Sequence, residues 1–544
     1  MKPFLLLALL ALAGYTSAQA KQDPMLYHVA VQFNPDSSFM HGQVEIQNPT
    51  DSCFFLTRGL KIQSVIADGK SVRFQEKSFG ATSESNQFAI AFIPQKMVVE
   101  YSGQIKAEDY PKTVSSINGI NPEWIELSDH IDWFPRLAKT AAFEYEMEVN
   151  VPKNFVTVLG GQVVKTKNLG KRSISKWVTG KPTYGITLLS VPGLKKAAIA
   201  QDGLNLEIYY DKLAPAYIDS MKNDLLKSVG LLTELFGPTG TDCVVKIAYS
   251  PRSAGGYARR PMLLVSEKYA LEQRSLKYGY ARDFRLNTHE IAHYWSFANT
   301  GTSEDWMNEG LAEFSAYLIS EKIIGKDFSA LLLSEYEGIV THTKTQTAIA
   351  ETPNDSWERE VNRYYKPTLL LNELRLKYGD EKLGQFLKTL YSRMTKAPVA
   401  TTGLFIEVLE QTMGKEAKVF FAEAIYRKDW NIEVPSATNP AQATDLTFAG
   451  TWSGPLTQFG TTAKFVLNLA LKDGKLEPSL DSPDQNVTNI PVSELLIEGD
   501  VVSFRVGIAS AVYKGTLDRT NQVIRGVWTQ RSVDYPLNIT KENR

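Results

Sequence analysis

Two histidines four residues apart are the side chains of this sequence best suited to chemistry. Residues 289–293 read His-Glu-Ile-Ala-His, which fits the pattern H-E-x-x-H. On an α-helix, positions i and i+4 lie on one face, so both imidazole rings can bind one metal ion. Glu290 stands between them, where its carboxylate can take a proton from an attacking water. Two core histidines that happen to be four apart are the alternative, although the chain has only six histidines.

An acidic segment downstream offers a third metal ligand. Residues 306–314 read Trp-Met-Asn-Glu-Gly-Leu-Ala-Glu-Phe, so Glu309 and Glu313 share one face of the helix expected there. One can bind the metal while the other hydrogen-bonds a ligand histidine; a solvated acidic face is the alternative. Two histidines and one glutamate leave the fourth position of a tetrahedral zinc ion open, as in catalytic zinc sites. We therefore expect one Zn²⁺ per chain, bound by His289, His293 and one of these glutamates.

These two segments together resemble the gluzincin aminopeptidases of the alanyl-aminopeptidase and leukotriene-hydrolase type, whose pattern is HExxH followed by WLNEG. Here HEIAHYW is followed by WMNEG. The resemblance implies that Glu309 is the third zinc ligand and that Glu313 supports a ligand histidine. Members of the family usually have eighteen residues between the second histidine and that glutamate, whereas this chain has fifteen. The connecting loop is therefore shorter, and Glu313 remains the alternative ligand.

A tyrosine pair further along the chain resembles another part of the family pattern. Residues 363–367 read Arg-Tyr-Tyr-Lys-Pro, similar to the Tyr-x-Lys-Gly that opens a helix in the family. Aligning the lysines implies that the hydroxyl of Tyr364 stabilises the oxyanion. A phenol suits this role because it donates a hydrogen bond to developing negative charge while remaining neutral. Tyr365 is the neighbouring alternative, and an aromatic pair that only packs a helix start is the alternative without chemistry.

One strand departs from the family pattern. Family members carry Gly-x-Met-Glu-Asn, whose glutamate binds the free amino group of the substrate, but residues 255–261 here read Gly-Gly-Tyr-Ala-Arg-Arg-Pro. Arg259 stands in the glutamate's place, and a guanidinium there repels an ammonium group, so we expect weaker dependence on a free amino terminus. Glu126 is a possible replacement carboxylate if the arginines face solvent instead. The predicted substrate-binding residues are Gly255, Gly256, Tyr257, Ala258, Arg259 and Glu126.

The elements that must position these residues suggest an α+β multidomain chain. Residues 21–200 alternate in short β-type runs and predict an antiparallel β-sandwich. Residues 201–434 are mainly helical, and the resemblance implies a thermolysin-like zinc catalytic domain there. Residues 435–445 form a polar linker, and residues 446–544 predict a small β-barrel. This β-domain takes the place of the helical C-terminal domain that is common in the family.

The amino terminus and the overall charge bear on location and partners. Residues 1–20 combine a positive start, a short apolar run and a small-x-small end, which predicts a cleaved signal peptide and export to the periplasm or medium. We expect no membrane span, since this apolar run is too short. The chain has 59 basic and 60 acidic residues, which gives no charge excess that would attract nucleic acid. Cys53 and Cys243 either pair or remain thiols.

The sequence thus predicts zinc-dependent hydrolysis of peptide bonds, aminopeptidase-like with altered recognition of the amino terminus. The alternatives are a zinc endopeptidase or dipeptidase, or a non-catalytic peptide-binding protein that retains a metal site. Glu290 and Tyr364 favour an enzyme, because neither is needed to hold a metal. Side-chain specificity and oligomeric state are left open by the sequence.

Overall fold

The computed structural model describes most of the chain. The described residues are 25–78, 84–109, 118–139, 141–239, 243–252, 255–274, 276–298, 300–343, 345–429, 446–458, 461–472, 474–485, 487–509, 511–530 and 533–542. The predicted signal peptide and the predicted linker lie outside these residues, as does the side chain of Cys243. Cys53 is a free thiol. Among the described residues, no helix combines the length and apolar character needed to cross a membrane.

The N-terminal region is a β-sandwich. Its strands are β1 (Leu26–Asn34), β2 (Phe39–Gln47), β3 (Cys53–Thr57), β4 (Leu60–Ala67), β5 (Lys70–Ser71), β6 (Gln75–Lys77), β7 (Ser85–Ala89), β8 (Lys96–Gln104), β9 (Gly119–Ile120), β10 (Ile125–Leu127), β11 (Arg136–Leu137), β12 (Glu144–Pro152), β13 (Phe155–Leu159), β14 (Gln162–Leu169), β15 (Arg172–Val178) and β16 (Leu188–Pro192). A large sheet, ordered β14-β15-β12-β1-β2-β8-β4-β5, faces two smaller ones, β13-β16-β10-β9 and β11-β3-β7-β6. Pairing is antiparallel except between β1 and β12. Alternate residues of the strands point into one shared apolar core.

The middle region starts with a second sheet. Its strands are β17 (Lys195–Gln201), β18 (Leu204–Tyr210), β19 (Cys243–Ser250), β20 (Gly256–Arg259) and β21 (Met262–Ser266), in the order β17-β18-β19-β21-β20. Strand β17 pairs with β18 and so belongs to this sheet, although the predicted domain boundary lies at residue 200. Strand β20 forms the edge of the sheet and pairs antiparallel with β21.

Helices make up the rest of the middle region. They are α1 (Pro215–Phe236), α2 (Glu267–Gln273), α3 (Gly279–Ala292), α4 (Asp305–Ile323), α5 (Lys326–His342), α6 (Lys366–Tyr378), α7 (Asp380–Met394), α8 (Thr402–Met413) and α9 (Lys415–Ile425). Helix α4 packs against α3, α5 and α6. Because α4 is enclosed by its neighbours, most of its side chains from Trp306 to Ser320 are buried, and it lacks the polar outer face of a surface helix.

The C-terminal region is a single curved sheet. Its strands are β22 (Gly450–Gln458), β23 (Thr461–Lys472), β24 (Lys475–Ser482), β25 (Val487–Pro491), β26 (Ser493–Glu498), β27 (Val501–Val506), β28 (Ala511–Asp518), β29 (Val523–Gln530) and β30 (Val533–Lys541). The order β25-β24-β23-β22-β30-β29-β28-β27-β26 makes a nearly closed barrel around a core that includes Trp452, Tyr513 and Trp528. The predicted fold class, an α+β chain with N-terminal sandwich, helical middle and C-terminal barrel, is confirmed.

Candidate metal centre and substrate cavity

The predicted metal ligands converge where α3 packs against α4. His289 on α3 and His293 directly after this helix present their Nε2 atoms to the same carboxylate oxygen of Glu309, at 3.3 and 3.5 Å from Oε2. The three side chains offer ligand atoms that all lie within 4.8 Å of one another. Tetrahedral zinc about 2.05 Å from two ligand atoms holds those atoms about 3.3 Å apart. The donor set and its spacing therefore fit a zinc ion.

Each histidine is oriented from behind through its other ring nitrogen. Nδ1 of His289 lies 2.9 Å from Oε2 of Glu313, and Nδ1 of His293 lies 3.0 Å from Oδ1 of Asn308. Glu313 also accepts hydrogen bonds from Arg285 and Tyr336. These contacts leave Nε2 of both rings free to bind a metal. Glu313 thus lies behind His289, in the position expected of a supporting residue. Asn308 was not singled out from the sequence, although it directly precedes Glu309.

The electrostatics of the centre favour a cation between its ligands. Burial of His289 lowers its pKa, but its hydrogen bonds to Glu309 and Glu313 outweigh burial and raise the pKa to about 10. Burial raises the pKa of Glu309, but the two histidines outweigh it and hold that pKa well below its usual range. For Glu313, Arg285 and His289 outweigh burial and lower the pKa to about 2. Glu309 and Glu313 therefore keep their negative charge, and a centre that attracts positive charge in this way is suited to a metal cation.

Glu290 lies against the edge strand β20. Its side chain is buried, and burial raises its pKa, as expected of a carboxylate that is to act as a base near neutral pH. A Cβ atom at Gly256 would lie 2.5 Å from Oε1 of Glu290. Glycine at this place on β20 therefore leaves the room that the Glu290 carboxylate occupies.

Tyr364 lies beside the metal ligands. It belongs to a π-helical turn (Val361–Tyr365) directly before α6, and its ring stacks on His289 at 5.7 Å between centroids. Burial, followed by the nearby carboxylates Glu309 and Glu290, raises its pKa, so the hydroxyl keeps its proton at neutral pH. The hydroxyl of Tyr365 instead donates to Glu360 at 3.2 Å. Of the two tyrosines, the structure brings Tyr364 to the metal ligands.

Gly310 allows this turn to approach α4. A Cβ atom at Gly310 would lie 2.6 Å from Cβ of Pro367 and 3.2 Å from the carbonyl oxygen of Arg363. The Arg363 guanidinium, buried beneath the turn, donates to Asp305 at the start of α4 at 2.6 Å. The Glu-Gly pair at 309–310 therefore combines a metal ligand with a contact that only glycine permits.

The strand β20 contributes a wall to the cavity beside Glu290. Gly255, Gly256, Tyr257, Ala258 and Arg259 all line this cavity, as their predicted role requires. Arg259 donates from Nε to Asp129 at 2.5 Å, and its Nη2 lies 3.1 Å from Nε2 of His130. Burial, assisted by Arg259, lowers the pKa of His130 to about 4, so this ring is neutral at pH 7. The charge of Arg259 is therefore offset by Asp129, a residue that sequence reasoning missed.

The position of Glu126 contradicts its predicted role. Its side chain is fully buried between the N-terminal sandwich and the second sheet, and it is not among the residues that line the cavity. It accepts hydrogen bonds from Ser250 at 2.5 Å and Tyr257 at 3.0 Å, and pairs with Arg252 at 3.4 Å. A fully buried carboxylate with these three partners is not exposed to a substrate amine in this structure. Glu126 holds two regions of the chain together instead.

One cavity of about 1510 Å³ contains all the other predicted residues of the site. Three parts of the chain line it. The N-terminal sandwich contributes Asp129, His130 and Tyr184, and the middle region contributes β20 and the metal ligands. The barrel contributes residues of β27 to β30. A cavity of this size, open to solvent and lined by polar and aromatic groups, suits an extended ligand of several residues.

Structural comparison finds similar folds among zinc peptidases. An M1 zinc metallopeptidase from Deinococcus radiodurans, bound to a Tyr-Ser-Ala substrate, matches with a TM-score of 0.60 and 16% identity over 76% of this chain and 96% of its own. Yeast LTA4 hydrolase matches with a TM-score of 0.56 and 15% identity over 76% of this chain and 69% of its own. An aminopeptidase N family protein from Idiomarina loihiensis matches over 95% of this chain and 96% of its own, with a TM-score of 0.62 and 14% identity.

Comparison of sequences, unlike comparison of structures, gives no match. No family model and no curated protein matches this chain. At 14–16% identity, the structural matches establish a shared fold. What this chain does must therefore be argued from its own side chains.

Proposed function

We propose that this protein is an exported zinc metallopeptidase of the gluzincin type, aminopeptidase-like, with altered recognition of the substrate amino terminus. One observation carries the proposal: Glu290 and Tyr364 both lie beside a three-residue ligand set for zinc, and all five residues line one large cavity. A site that only bound metal would need neither of these two groups. The folds of zinc peptidases, and the Tyr-Ser-Ala peptide bound by the Deinococcus protein, agree with a peptide substrate.

The residues divide the work of hydrolysis among them. Zinc held by His289, His293 and Glu309 would polarise the scissile carbonyl and acidify the attacking water. Glu290 accepts the proton of that water and returns one to the leaving amine. Tyr364 donates a hydrogen bond to the oxyanion, a contribution of about 3 kcal/mol for a well-placed donor.

An edge strand beside this centre is suited to hold the substrate backbone. Strand β20 pairs with β21 on one side only, so its other edge leaves main-chain N–H and C=O groups for an extended peptide. Gly255 and Gly256 carry no side chain that would keep such a peptide away. The substrate then lies along β20 with its scissile bond near Glu290.

Recognition of the amino terminus rests on Arg259 and Asp129. The pair carries no net charge, in contrast to the lone carboxylate that grips an ammonium group in the resembling family. We therefore expect peptides with free and blocked amino termini to be cleaved at more similar rates than by an ordinary aminopeptidase. The pairing also means that Arg259 repels an ammonium group less than an isolated guanidinium would.

Metal analysis and a peptide library test the central proposal. We expect about one zinc per chain, lost in His289→Ala and Glu309→Ala, because two ligands do not hold the ion tightly. Glu313→Ala should keep the site but bind zinc about 10–100-fold more weakly. Glu290→Gln should keep zinc and lose turnover by at least about 10²-fold. Full zinc in Glu309→Ala, or undiminished hydrolysis by Glu290→Gln, would refute the assignment.

Matched peptides with free and acetylated amino termini test the recognition proposal. Asp129→Asn unmasks the charge of Arg259 and should lower cleavage of the free-amine peptide while sparing the acetylated one. Arg259→Glu should have the reverse effect, because it places a carboxylate beside the amine. Cleavage of free-amine peptides only, unchanged in both variants, would show that the amine is held elsewhere.

A further inference from the structure

The C-terminal barrel is fixed to the helix that carries the metal ligands. Arg282, about two turns before His289 on α3, pairs with Glu335 of α5 at 2.7 Å and with Glu494 of β26. Ser493 of β26 also donates to Glu335, at 2.6 Å. Side chains of Arg282 and Glu494 are 3% and 0% exposed, and charges this deeply buried persist only when they are paired. The barrel therefore has a defined orientation relative to the metal centre.

Three neighbouring barrel strands turn their outer face towards the metal centre. Val512 of β28 lies opposite Thr529 of β29, which in turn lies opposite Asp534 of β30. Lys514 lies opposite Val527 in the adjacent row. All five residues line the cavity that contains the metal ligands. Since side chains two residues apart on a strand share a face, these rows form one continuous wall.

The composition of this wall is that of a contact surface. Val527 is 40% exposed, and Val512 beside it is half-buried, so apolar surface faces a cavity that is otherwise rich in charge. Tyr513, between Val512 and Lys514, and Trp528, between Val527 and Thr529, point into the barrel core. Thr529 donates to Asp534 at 2.7 Å, which leaves that carboxylate already engaged. Apolar side chains flanked by oriented polar groups are typical of ligand-binding walls.

Lys514 is the cation of this wall that is available to a ligand. Most arginines around the cavity are engaged by carboxylates: Arg259 by Asp129, Arg282 by Glu335 and Glu494, and Arg285 by Glu313. Within the described part of the chain, the exposed Lys514 forms no ion pair and no side-chain hydrogen bond. Arg359, also exposed at the cavity, shares this property.

We propose that the outer face of β28 to β30 is a second substrate-binding wall, on which Lys514 binds a carboxylate of the peptide. The inference rests on the proposed peptidase function. The carboxylate is either the carboxyl terminus of a short peptide or an acidic side chain. Val512 and Val527 contact the aliphatic parts of the same peptide, while β20 holds its backbone from the other side of the cavity.

Four peptides of one sequence separate the two sources of the carboxylate. They combine a free or amidated carboxyl terminus with Glu or Gln at one position after the cleavage site. For the peptides that carry the recognised carboxylate, Lys514→Met should lower kcat/KM about three- to tenfold, mainly through KM, and Lys514→Glu should lower it further. The peptide that lacks both carboxylates should change less than about twofold. The discrimination should shrink at high salt, because the pair is screened.

Matched variants make the test specific. Lys475→Glu changes the net charge as Lys514→Glu does, but lies on β24 and does not line the cavity, so it should leave all four rates unchanged. If Arg359→Met removes the discrimination and Lys514→Met does not, the assignment to the barrel is wrong. Equal rates in wild type and Lys514→Glu for all four peptides would also overturn it. A wild-type, zinc-loaded protein that cleaves none of them would overturn the peptidase function itself.

Discussion

Gly256→Ala is the smallest change that tests whether the position of Glu290 matters. The substitution adds one methyl group on β20, beside the carboxylate and away from the three metal ligands. The nearest atoms to the added Cβ all belong to Glu290, with Oε1 at 2.5 Å, Cδ at 3.0 Å and Cγ at 3.1 Å. The far end of a side chain moves more easily than a strand, so we expect the carboxylate to move and β20 to stay.

The expected loss follows from the size of that movement. An ordinary contact begins at about 3.4 Å, so Oε1 must retreat by about 0.9 Å from its 2.5 Å position. A displacement of about 1 Å in a reacting group costs about 10²-fold in rate, or about 2.7 kcal/mol of activation free energy. We therefore expect kcat to fall about 10²-fold while zinc content and the unfolding temperature stay close to wild type.

The assay compares steady-state hydrolysis, bound zinc and thermal unfolding in the same preparations. Gly180→Ala is the matched control, because a Cβ atom there meets nothing within 4 Å and the residue has no positive φ. It should behave as wild type in all three measurements. A second variant, Gly256→Ala with Glu290→Asp, shortens the carboxylate by one methylene and returns room to the methyl group. Its loss should be smaller than the product of the two single losses, since the two residues are in contact.

Two outcomes would refute this reasoning. Full activity in Gly256→Ala would mean that Glu290 tolerates displacement and is not the base. Loss of zinc together with activity would mean that the strand moved and carried the metal ligands with it. Neither outcome depends on which peptide is the natural substrate.

Two further changes probe the oxyanion donor and the barrel contact. Tyr364→Phe should lower kcat about 10²-fold with little change in KM or bound zinc. Tyr365→Phe should change kcat less than about threefold. A larger loss of kcat in Tyr365→Phe would assign the oxyanion donor to Tyr365. Arg282 and Arg505 outweigh burial and lower the pKa of Glu335 from 4.5 to about 2, so Glu335 stabilises the fold fully above pH 4.5 and loses this effect as pH falls towards 2. Glu335→Gln should therefore lower the unfolding free energy at pH 7 by roughly 3 kcal/mol. Between pH 4.5 and 2, the unfolding free energy measured in urea should depend less on pH in this variant than in wild type. Parallel curves of unfolding free energy against pH for the two proteins would contradict this.

Local spacing predicted the architecture and the facing pairs of histidines and glutamates, while the resemblance to the gluzincin aminopeptidases singled out Glu309 and Tyr364. The i, i+4 pair on α3 and the glutamates on α4 need only helical periodicity to share a face. The alternation of β1 and β2, and the later return of β texture, likewise show in short windows of sequence. Periodicity could not show that α3 packs on α4 so that Glu309 meets both rings, a contact that the structure supplies.

The sequence did not predict the walls of the cavity, because they depend on contacts between residues that are far apart in sequence. Asp129 reaches Arg259 across 130 positions of sequence, and no local pattern marks that pairing. Glu126 looked available for substrate because its hydrogen bonds to Ser250 and Tyr257 arise only when the sandwich docks on the second sheet. The barrel was recognisable as a domain, but the direction of its outer face was not, since the docking of β26 on α3 and α5 decides it.

There is a physical reason why the residues of the metal centre were predictable from the sequence and those of the cavity walls were not. The metal ligands, Glu290 and Tyr364 are held by α3, α4 and the turn before α6, where α4 packs on both other elements. A shift of an ångström at such a centre costs orders of magnitude in rate. Apart from β20, the cavity walls come from the sandwich and the barrel, which meet this core through separate buried clusters around Glu126 and Arg282. Substitutions on β28 to β30 can therefore alter which peptide is bound without moving the centre that would cleave it. Substitution of Lys514 measures whether peptide binding at the barrel can change while the metal centre stays as it is.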